Sequence, residues 1–197
     1  MSDKAELHYK GNVYQLPIIE GTQNEMALDI SRLRNESGLI TLDKGFKNTG
    51  STESAITFLN GEEGVFKYSI YSIEDLADKS SFVEVSYLLI YGELPNTEQL
   101  ESFQEEITYH TLVHEDVRSI LDGFPSKSHP MGVLSSLVSS LTAFYPKSLD
   151  PNRSASEVNG TIIRLLAKLP TLAAWSYENR MRQPVVYPNN SLDYCSN

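Results

Sequence analysis

Residues 128–146, SHPMGVLSSLVSSLTAFYP, carry no charged side chain between Met131 and Tyr145. Pro130 stands where a first-turn proline is favoured in a helix. Apolar side chains recur at helical spacing on one face, namely Leu134, Leu137, Val138, Leu141 and Phe144. A second face carries the small residues Ser135, Ser136, Ser139 and Ser140. This pattern predicts a helix that is covered on most sides, with neighbours close to the serines.

The C-terminal side adds another long helix, predicted for SEVNGTIIRLLAKLPTLAAWSYENRM at residues 156–181 with a kink at Pro170. Arg164 and Lys168 stand four residues apart on it, so their like charges repel. Either acidic neighbours and solvent compensate this repulsion, or a bound anion does. The pair is therefore interpreted as a solvated, salt-bridged face or as a phosphate clamp.

Upstream, FVEVSYLLIYGELP at residues 82–95 reads as a helix closed by Gly92. Asn96 and Gln99 then have capping-box spacing for a further helix. Its apolar stripe, which two histidines extend, consists of Leu100, Phe103, Ile107, His110 and His114. Short helices are expected at SIEDLADKS and at EDVRSILDGF, residues 72–80 and 115–124.

Two histidines four apart on a helix could serve as metal ligands. The zinc-protease motif places Glu directly after the first His, whereas Thr111 follows His110 here. A third ligand could come from His129 or Glu115, but no spacing requires it. Buried, hydrogen-bonded histidines are the preferred interpretation, and no metal is expected.

The first 70 residues predict strands and loops, and residues 71–197 predict helices. ELHY and VYQLPI form a hairpin around Gly11–Asn12, and GLITLD (38–43) and SAITFLNGEEG (54–64) supply further strands. Glu62 and Glu63 are interpreted as a solvated hairpin tip rather than as a catalytic pair.

The net charge of −10 over 197 residues argues against a nucleic-acid partner, although a local pocket could still hold a small anion. The lone Cys195 suits a reducing compartment. The start of the chain lacks the apolar run of a signal peptide, and no stretch approaches the length of a membrane span. We therefore expect a cytoplasmic soluble protein. No G-x-S-x-G, Walker or G-x-G-x-x-G motif is present.

Six stretches in order resemble citrate synthase of the bacterial type II, the hexameric, NADH-regulated type with a β-rich N-terminal extension. They are residues 40–77, VSYLLIYGELPNTEQLESF, HTLVHE, SHPMGVLSSLVSSLTAFYP, IIRLLAKLPTLAA and QPVVYPNNSLDY. The match covers essentially the whole chain. Where the family commonly has Tyr-Arg-Gly-Tyr-Pro, this chain has Tyr68-Ser69-Ile70-Tyr71-Ser72.

The resemblance implies a mainly α fold, a citrate-synthase-like helical domain preceded by a small β-rich region. It implies an acyltransferase of the tricarboxylic acid cycle, which condenses acetyl-CoA with oxaloacetate and water to citrate and CoA. The family's catalytic histidines and aspartate match none of His8, His110, His114 or His129. The chain is therefore expected to be the N-terminal part of the large domain, truncated before the catalytic residues and inactive alone. Helices would join copies into a homodimer or hexamer.

The resemblance also implies an allosteric site for NADH, away from the active site. The residues that match it are His110, Thr111, Tyr145, Arg164, Lys168, Gln183 and Asn190. NADH-sensitive members have an arginine before His110, and Tyr109 here removes that donor. An unused site retained for structural reasons is the alternative.

Two other functions remain open at this point. The first is 2-methylcitrate synthase, which uses propionyl-CoA and belongs to the same family. The N-terminal extension and the Arg164–Lys168 pair argue against it. The second is a stand-alone helical interaction module without chemistry.

Overall fold

The computed structural model of the chain describes residues 3–197. Within these residues the helices outweigh the strands, and the predicted mainly α fold with a small β-rich N-terminal region is confirmed. Contacts divide the chain into two compact units, one ending at Ala55 and the other spanning Ile56–Asn197. None of the helices in residues 3–197 has the length and apolar character that crossing a membrane requires.

The first unit contains a three-stranded antiparallel sheet in the order β1–β2–β3 and one short helix. The elements are β1 (Lys4–Tyr9), β2 (Asn12–Glu20), β3 (Met26–Leu28) and α1 (Leu33–Ser37). Tyr9 pairs with Asn12, so the hairpin turn consists of Lys10 and Gly11, both with positive φ. The predicted turn at Gly11–Asn12 is thus wrong by one residue, because Lys10 and Gly11 supply the left-handed φ that a type I′ turn requires at both central positions.

Residues 38–43, GLITLD, form no strand, which corrects the prediction for that stretch. Their alternation of apolar and polar side chains has no neighbouring strand to pair with. Ile40 and Leu42 are exposed, so the residues that suggested a buried strand face cover no core. High β propensity describes a fit to a half-buried sheet surface and does not by itself create one.

The second unit begins with an antiparallel sheet, β4 (Thr57–Asn60), β5 (Val65–Tyr68) and β6 (Tyr71–Ser72). The side chain of Asn60 accepts hydrogen bonds from the backbone N–H of Glu62 and of Glu63 at 3.1 and 3.2 Å. Both glutamates are exposed, which confirms the hairpin tip.

Six helices follow the sheet: α2 (Ile73–Lys79), α3 (Phe82–Tyr91), α4 (Thr97–Tyr109), α5 (Glu115–Asp122), α6 (Pro130–Phe144) and α7 (Ala155–Met181). A 3₁₀ turn, Pro146–Leu149, joins α6 to α7. The capping box of Asn96 and Gln99 is present at α4, and Gly92 closes α3 with φ of 86°. Both features were predicted, because capping residues act locally.

The core of the second unit consists of two apolar clusters that share α7. One cluster joins α5, α6 and α7 through Val113, Val117, Leu121, Val133, Leu137, Leu141, Leu172 and Trp175. The other joins α3, α4 and α7 through Val83, Phe103, Ile107, Ile163 and Ala167. α7 therefore passes from one cluster to the other near Pro170.

The serine face of α6 lies away from these clusters. Ser135, Ser136 and Ser139 are exposed and Ser140 is half-buried. The close neighbours predicted for this face are not supplied by residues 3–197.

α4 ends at Tyr109, and residues 111–114 form a non-helical turn before α5. The predicted continuation of one helical stripe through His110 and His114 is therefore wrong. His110 is the C-cap of α4 and His114 is the N-cap of α5, so the two imidazoles have separate surroundings.

Candidate functional site

The turn 110–114 is held by α7, which runs beside it. The Lys168 ammonium, on a residue only 3% exposed, donates a hydrogen bond to the carbonyl of His110 at 2.7 Å and another to the carbonyl of Leu112. The Thr171 hydroxyl donates to the carbonyl between them, that of Thr111, at 3.2 Å. Two side chains of α7 thus bind three successive carbonyls just beyond the end of α4. A cation suits this position because the C-terminal end of a helix carries partial negative charge.

The C-terminal tail of the chain, residues 183–197, also binds this turn. The Thr111 hydroxyl lies 2.9 Å from Oδ1 of Asn190, and the Asn190 amide donates to the carbonyl of Thr108 at 3.1 Å. Thr111 is buried as a result. The structure thereby brings together four of the predicted site residues, namely His110, Thr111, Lys168 and Asn190.

Two cations of α7, Arg164 and Lys168, lie near the ring of Tyr145. The Arg164 guanidinium carbon lies 5.1 Å from the ring centroid, and the Lys168 nitrogen lies 5.8 Å from it. An aromatic face attracts cations and so offsets part of the repulsion between the two charges. Gly160 lies one turn earlier on α7, and a Cβ there would stand 3.4 Å from the Arg164 guanidinium, so Gly160 lies beside that group.

Neither cation has a carboxylate within ion-pair distance among residues 3–197. Burial, and then the charge of Arg164, lower the pKa of Lys168. Burial also lowers the pKa of His110, with smaller contributions from Lys168 and Arg164. The His110 imidazole is therefore neutral at pH 7, and the positive charge of the site resides on α7.

A cleft of about 220 Å³ opens beside Tyr145 and Arg164. Its other walls come from the end of α6, the 3₁₀ turn and the first turns of α7, through Phe144, Pro146, Lys147, Ser148, Glu157 and Thr161. The sequence analysis did not single out Lys147, Ser148 or Thr161. A lysine two residues after the predicted aromatic Tyr145 is the signal that could have identified Lys147.

Lys147 and Glu157 face each other across this cleft. The Lys147 nitrogen is 3.5 Å from a Glu157 oxygen, and its side chain is 86% exposed. The Glu157 carboxylate also accepts hydrogen bonds from the backbone N–H and the hydroxyl of Ser154, in the capping box of α7. These hydrogen bonds lower the pKa of Glu157, so it is anionic at neutral pH.

Gln183 lies apart from the other predicted residues. It is exposed, and its backbone N–H donates to the carbonyl of Glu178 at 2.9 Å. No hydrogen bond joins its side chain to the rest of the described chain. Tyr109, the last residue of α4, is 82% exposed, and its ring lies edge-on to that of His110.

His114 caps the N-terminus of α5. Its Nδ1 accepts a hydrogen bond from the backbone N–H of Asp116 at 3.2 Å, and its ring stacks on Phe144. Residues 3–197 contain no group of three or more His, Cys, Asp or Glu side chains arranged to hold a metal ion.

Residues 45–197 match the family described as "Citrate synthase, C-terminal domain". Citrate synthase 1 of Mycobacterium tuberculosis is 46% identical to the chain over 195 residues, in strain H37Rv and in strain CDC 1551. This similarity covers 99% of the chain, which spans 45% of the length of these curated relatives.

Solved structures agree with the sequence similarity. The citrate synthase of Pyrobaculum aerophilum superposes with a TM-score of 0.68 at 25% identity, over 91% of this chain and 42% of that one. The enzyme of Thermotoga maritima gives a TM-score of 0.65 at 26% identity, over 78% and 39%. A third structure, from Thermoplasma acidophilum, is a complex of citrate synthase with carboxymethyl coenzyme A and oxaloacetate. It shares the fold with a TM-score of 0.69 at 20% identity, over 78% and 40%.

Proposed function

The chain belongs to the citrate synthase family, and from this we propose that it is part of an enzyme condensing acetyl-CoA with oxaloacetate and water to citrate and CoA. The observation that carries the proposal is the identity of 46% to citrate synthase 1 of M. tuberculosis across nearly the whole chain. The reaction is a proton abstraction from the acetyl methyl group followed by carbon–carbon bond formation. A role in the tricarboxylic acid cycle in the cytoplasm follows from the same proposal.

We further propose that residues 1–197 do not catalyse this reaction by themselves. The family's catalytic histidines and aspartate match none of the four histidines of this chain. The chain should contribute helices to a large domain, whose reaction centre includes residues outside this sequence.

A thiol-release assay tests both proposals. The chain alone, incubated with oxaloacetate and either acetyl-CoA or propionyl-CoA, should release no CoA. The gene's product with the length of its relatives should release CoA with acetyl-CoA at the higher kcat/KM. Turnover by residues 1–197 would contradict the second proposal, and a preference for propionyl-CoA would point to 2-methylcitrate synthase.

We propose that the site around Tyr145 binds NADH as an allosteric inhibitor. Arg164 supports this most directly, because its guanidinium lies on an aromatic ring beside a cleft and lacks a carboxylate partner among the described residues. A guanidinium without a carboxylate partner, placed in a cleft, attracts a phosphate group even when the chain as a whole is acidic. His110, Thr111, Lys168, Gln183 and Asn190 complete the proposed set of residues.

Titration calorimetry with NADH tests this site. We expect Arg164→Gln to weaken binding about tenfold or more, since a charge-assisted hydrogen bond contributes on the order of 2 kcal/mol. Arg180→Gln, an exposed position on the same helix, is the matched control and should bind as the parent does. Tyr109→Arg should tighten binding by restoring a donor. An absence of heat from a chain with full helical circular dichroism would contradict the proposal.

We also propose that copies of the chain associate through helices. The uncharged α6 exposes Ser135, Ser136 and Ser139, and α7 exposes Leu165, Leu169 and Tyr177. Small residues allow helices to approach closely, and exposed apolar side chains favour burial in an interface. Sedimentation equilibrium should therefore give at least a dimer mass, and Ser136→Glu should reduce it. A parent chain that remains monomeric at all concentrations would contradict this proposal.

A further inference from the structure

The ammonium group of Lys168 is already occupied by the protein. It donates hydrogen bonds to two backbone carbonyls, those of His110 and Leu112, in a residue that is almost completely buried. Moving it toward a ligand would leave both carbonyls without this donor, and unpaired buried polar groups are costly. Of the two cations that the sequence proposed as a phosphate clamp, Arg164 alone lines the cleft.

Lys147 is placed differently. It also lines the cleft, most of its side chain is exposed, and its partner Glu157 is 3.5 Å away. A pair at that distance in solvent contributes little to stability. Glu157 meanwhile accepts two hydrogen bonds from Ser154, so its carboxylate keeps partners when Lys147 turns away. The Lys147 ammonium is thus free to exchange Glu157 for a ligand anion at small energetic cost.

We propose that Lys147, with Arg164, holds a phosphate group of the bound nucleotide, while Lys168 keeps the turn 110–112 in place. This inference rests on the nucleotide site proposed above and names the second cation of that site. The cleft volume of about 220 Å³ is below the range of pockets that enclose a whole drug-sized ligand. It suits the phosphate end of a nucleotide, with the remainder lying outside.

The hydroxyl groups in the cleft fit the same ligand. Ser148 and Thr161 line it together with the two cations, and hydroxyls are frequent partners of phosphate oxygens. Glu157 is the one carboxylate that lines the cleft, and its negative charge repels a phosphate group. Its removal should therefore have the opposite effect from removal of Lys147, and this difference in sign gives a sharp test.

The experiment is calorimetric titration of the chain with ADP and, separately, with NADH. We expect Lys147→Gln to weaken ADP binding about tenfold, the size of one lost charge-assisted hydrogen bond. The affinity of Lys147→Gln for ADP should also depend less on salt concentration, because the variant lacks the charge pair between Lys147 and the phosphate. Glu157→Gln keeps a capping-box side chain and should tighten ADP binding severalfold. Lys127→Gln, an exposed lysine outside the cleft, should bind as the parent does.

Each outcome separates this inference from the NADH proposal. Binding of ADP with the expected signs supports the inference, even where NADH itself gives no heat and the NADH proposal fails. Binding of NADH that Lys147→Gln leaves unchanged overturns the inference and retains the NADH site. A folded Glu157→Gln variant that binds ADP no more tightly than the parent also overturns the inference. If neither ADP nor NADH binds the folded chain, both proposals fail.

Discussion

A buried lysine without a carboxylate partner needs other groups to stabilise its charge. Lys168 finds them in two carbonyls near the negative end of α4 and in the ring of Tyr145. The sequence correctly singled out Lys168 and Arg164 as an unusual like-charged pair. It could not reveal the carbonyl partners, because these lie 56 and 58 residues away along the chain.

The lowered pKa of His110 should make the free energy of unfolding depend on pH. Burial and two neighbouring cations lower its pKa in the folded chain, whereas the unfolded value is near 6.5. The folded imidazole therefore binds fewer protons than the unfolded one between these two pKa values. Its contribution to the free energy of unfolding is complete above pH about 6.5 and is lost as the pH falls toward the folded pKa.

Urea unfolding followed by circular dichroism, between about pH 7.5 and 5.5, measures this effect. The free energy of unfolding should decrease less on acidification in His110→Gln than in the parent chain. Identical pH curves for the parent and His110→Gln would contradict the assignment.

At the scale of elements, helix boundaries marked by capping residues or by Pro130 were easier to predict than the end of α4. Asn96, Gln99, Gly92 and Pro130 act on the backbone within a few residues, so their effect is readable locally. The end of α4 has no Gly or Pro, and its apolar spacing continues through His110 and His114. Contacts from α7 and the tail hold the following carbonyls instead, and no local pattern encodes them.

Pro170 explains one hydrogen bond between α7 and the tail. Because proline lacks an N–H, the carbonyl of Leu166 has no partner in the helical ladder. The Tyr194 hydroxyl donates a hydrogen bond to that carbonyl at 3.0 Å. The tail thus repairs the one gap that Pro170 creates within α7.

Tyr194→Phe should lower the free energy of unfolding by about 1–2 kcal/mol, because the Leu166 carbonyl loses its partner. In a Pro170→Ala background the restored N–H binds that carbonyl, so the same change should have a smaller effect. Urea unfolding of all four chains completes a double-mutant cycle. Equal effects of Tyr194→Phe in both backgrounds would show that the hydroxyl does not compensate for Pro170.

At the scale of the whole chain, the sequence located the change from strands to helices well. The last strand ends at Ser72 and α2 begins at Ile73, close to the predicted change near residue 70. The contact boundary at Ala55 was not visible, because β5 and β6 contact α2 and therefore group with the helices of the second unit. The domain boundary at residue 70 stays a prediction, since secondary structure and contacts divide the chain differently.

Limited proteolysis should cut the chain first within residues 39–56. This segment contains no helix or strand, and most of its residues are exposed. Exposed segments without regular structure are the usual sites of first cleavage. Mass spectrometry should identify a persistent fragment that begins near residue 56 and retains α2–α7. The connection between α6 and α7, which the 3₁₀ turn orders, is the internal control, and first cuts there would contradict this division.

Trp175 is the single tryptophan of the chain and is 0% exposed. Its indole N–H donates to the carbonyl of Val186, and its ring meets the edge of Tyr187. The molecule therefore carries an intrinsic optical reporter at the junction of α7 and the tail. Detachment of residues 183–197 would wet the indole and shift its emission to the red, so ligand-induced movement of that segment is measurable without any added dye.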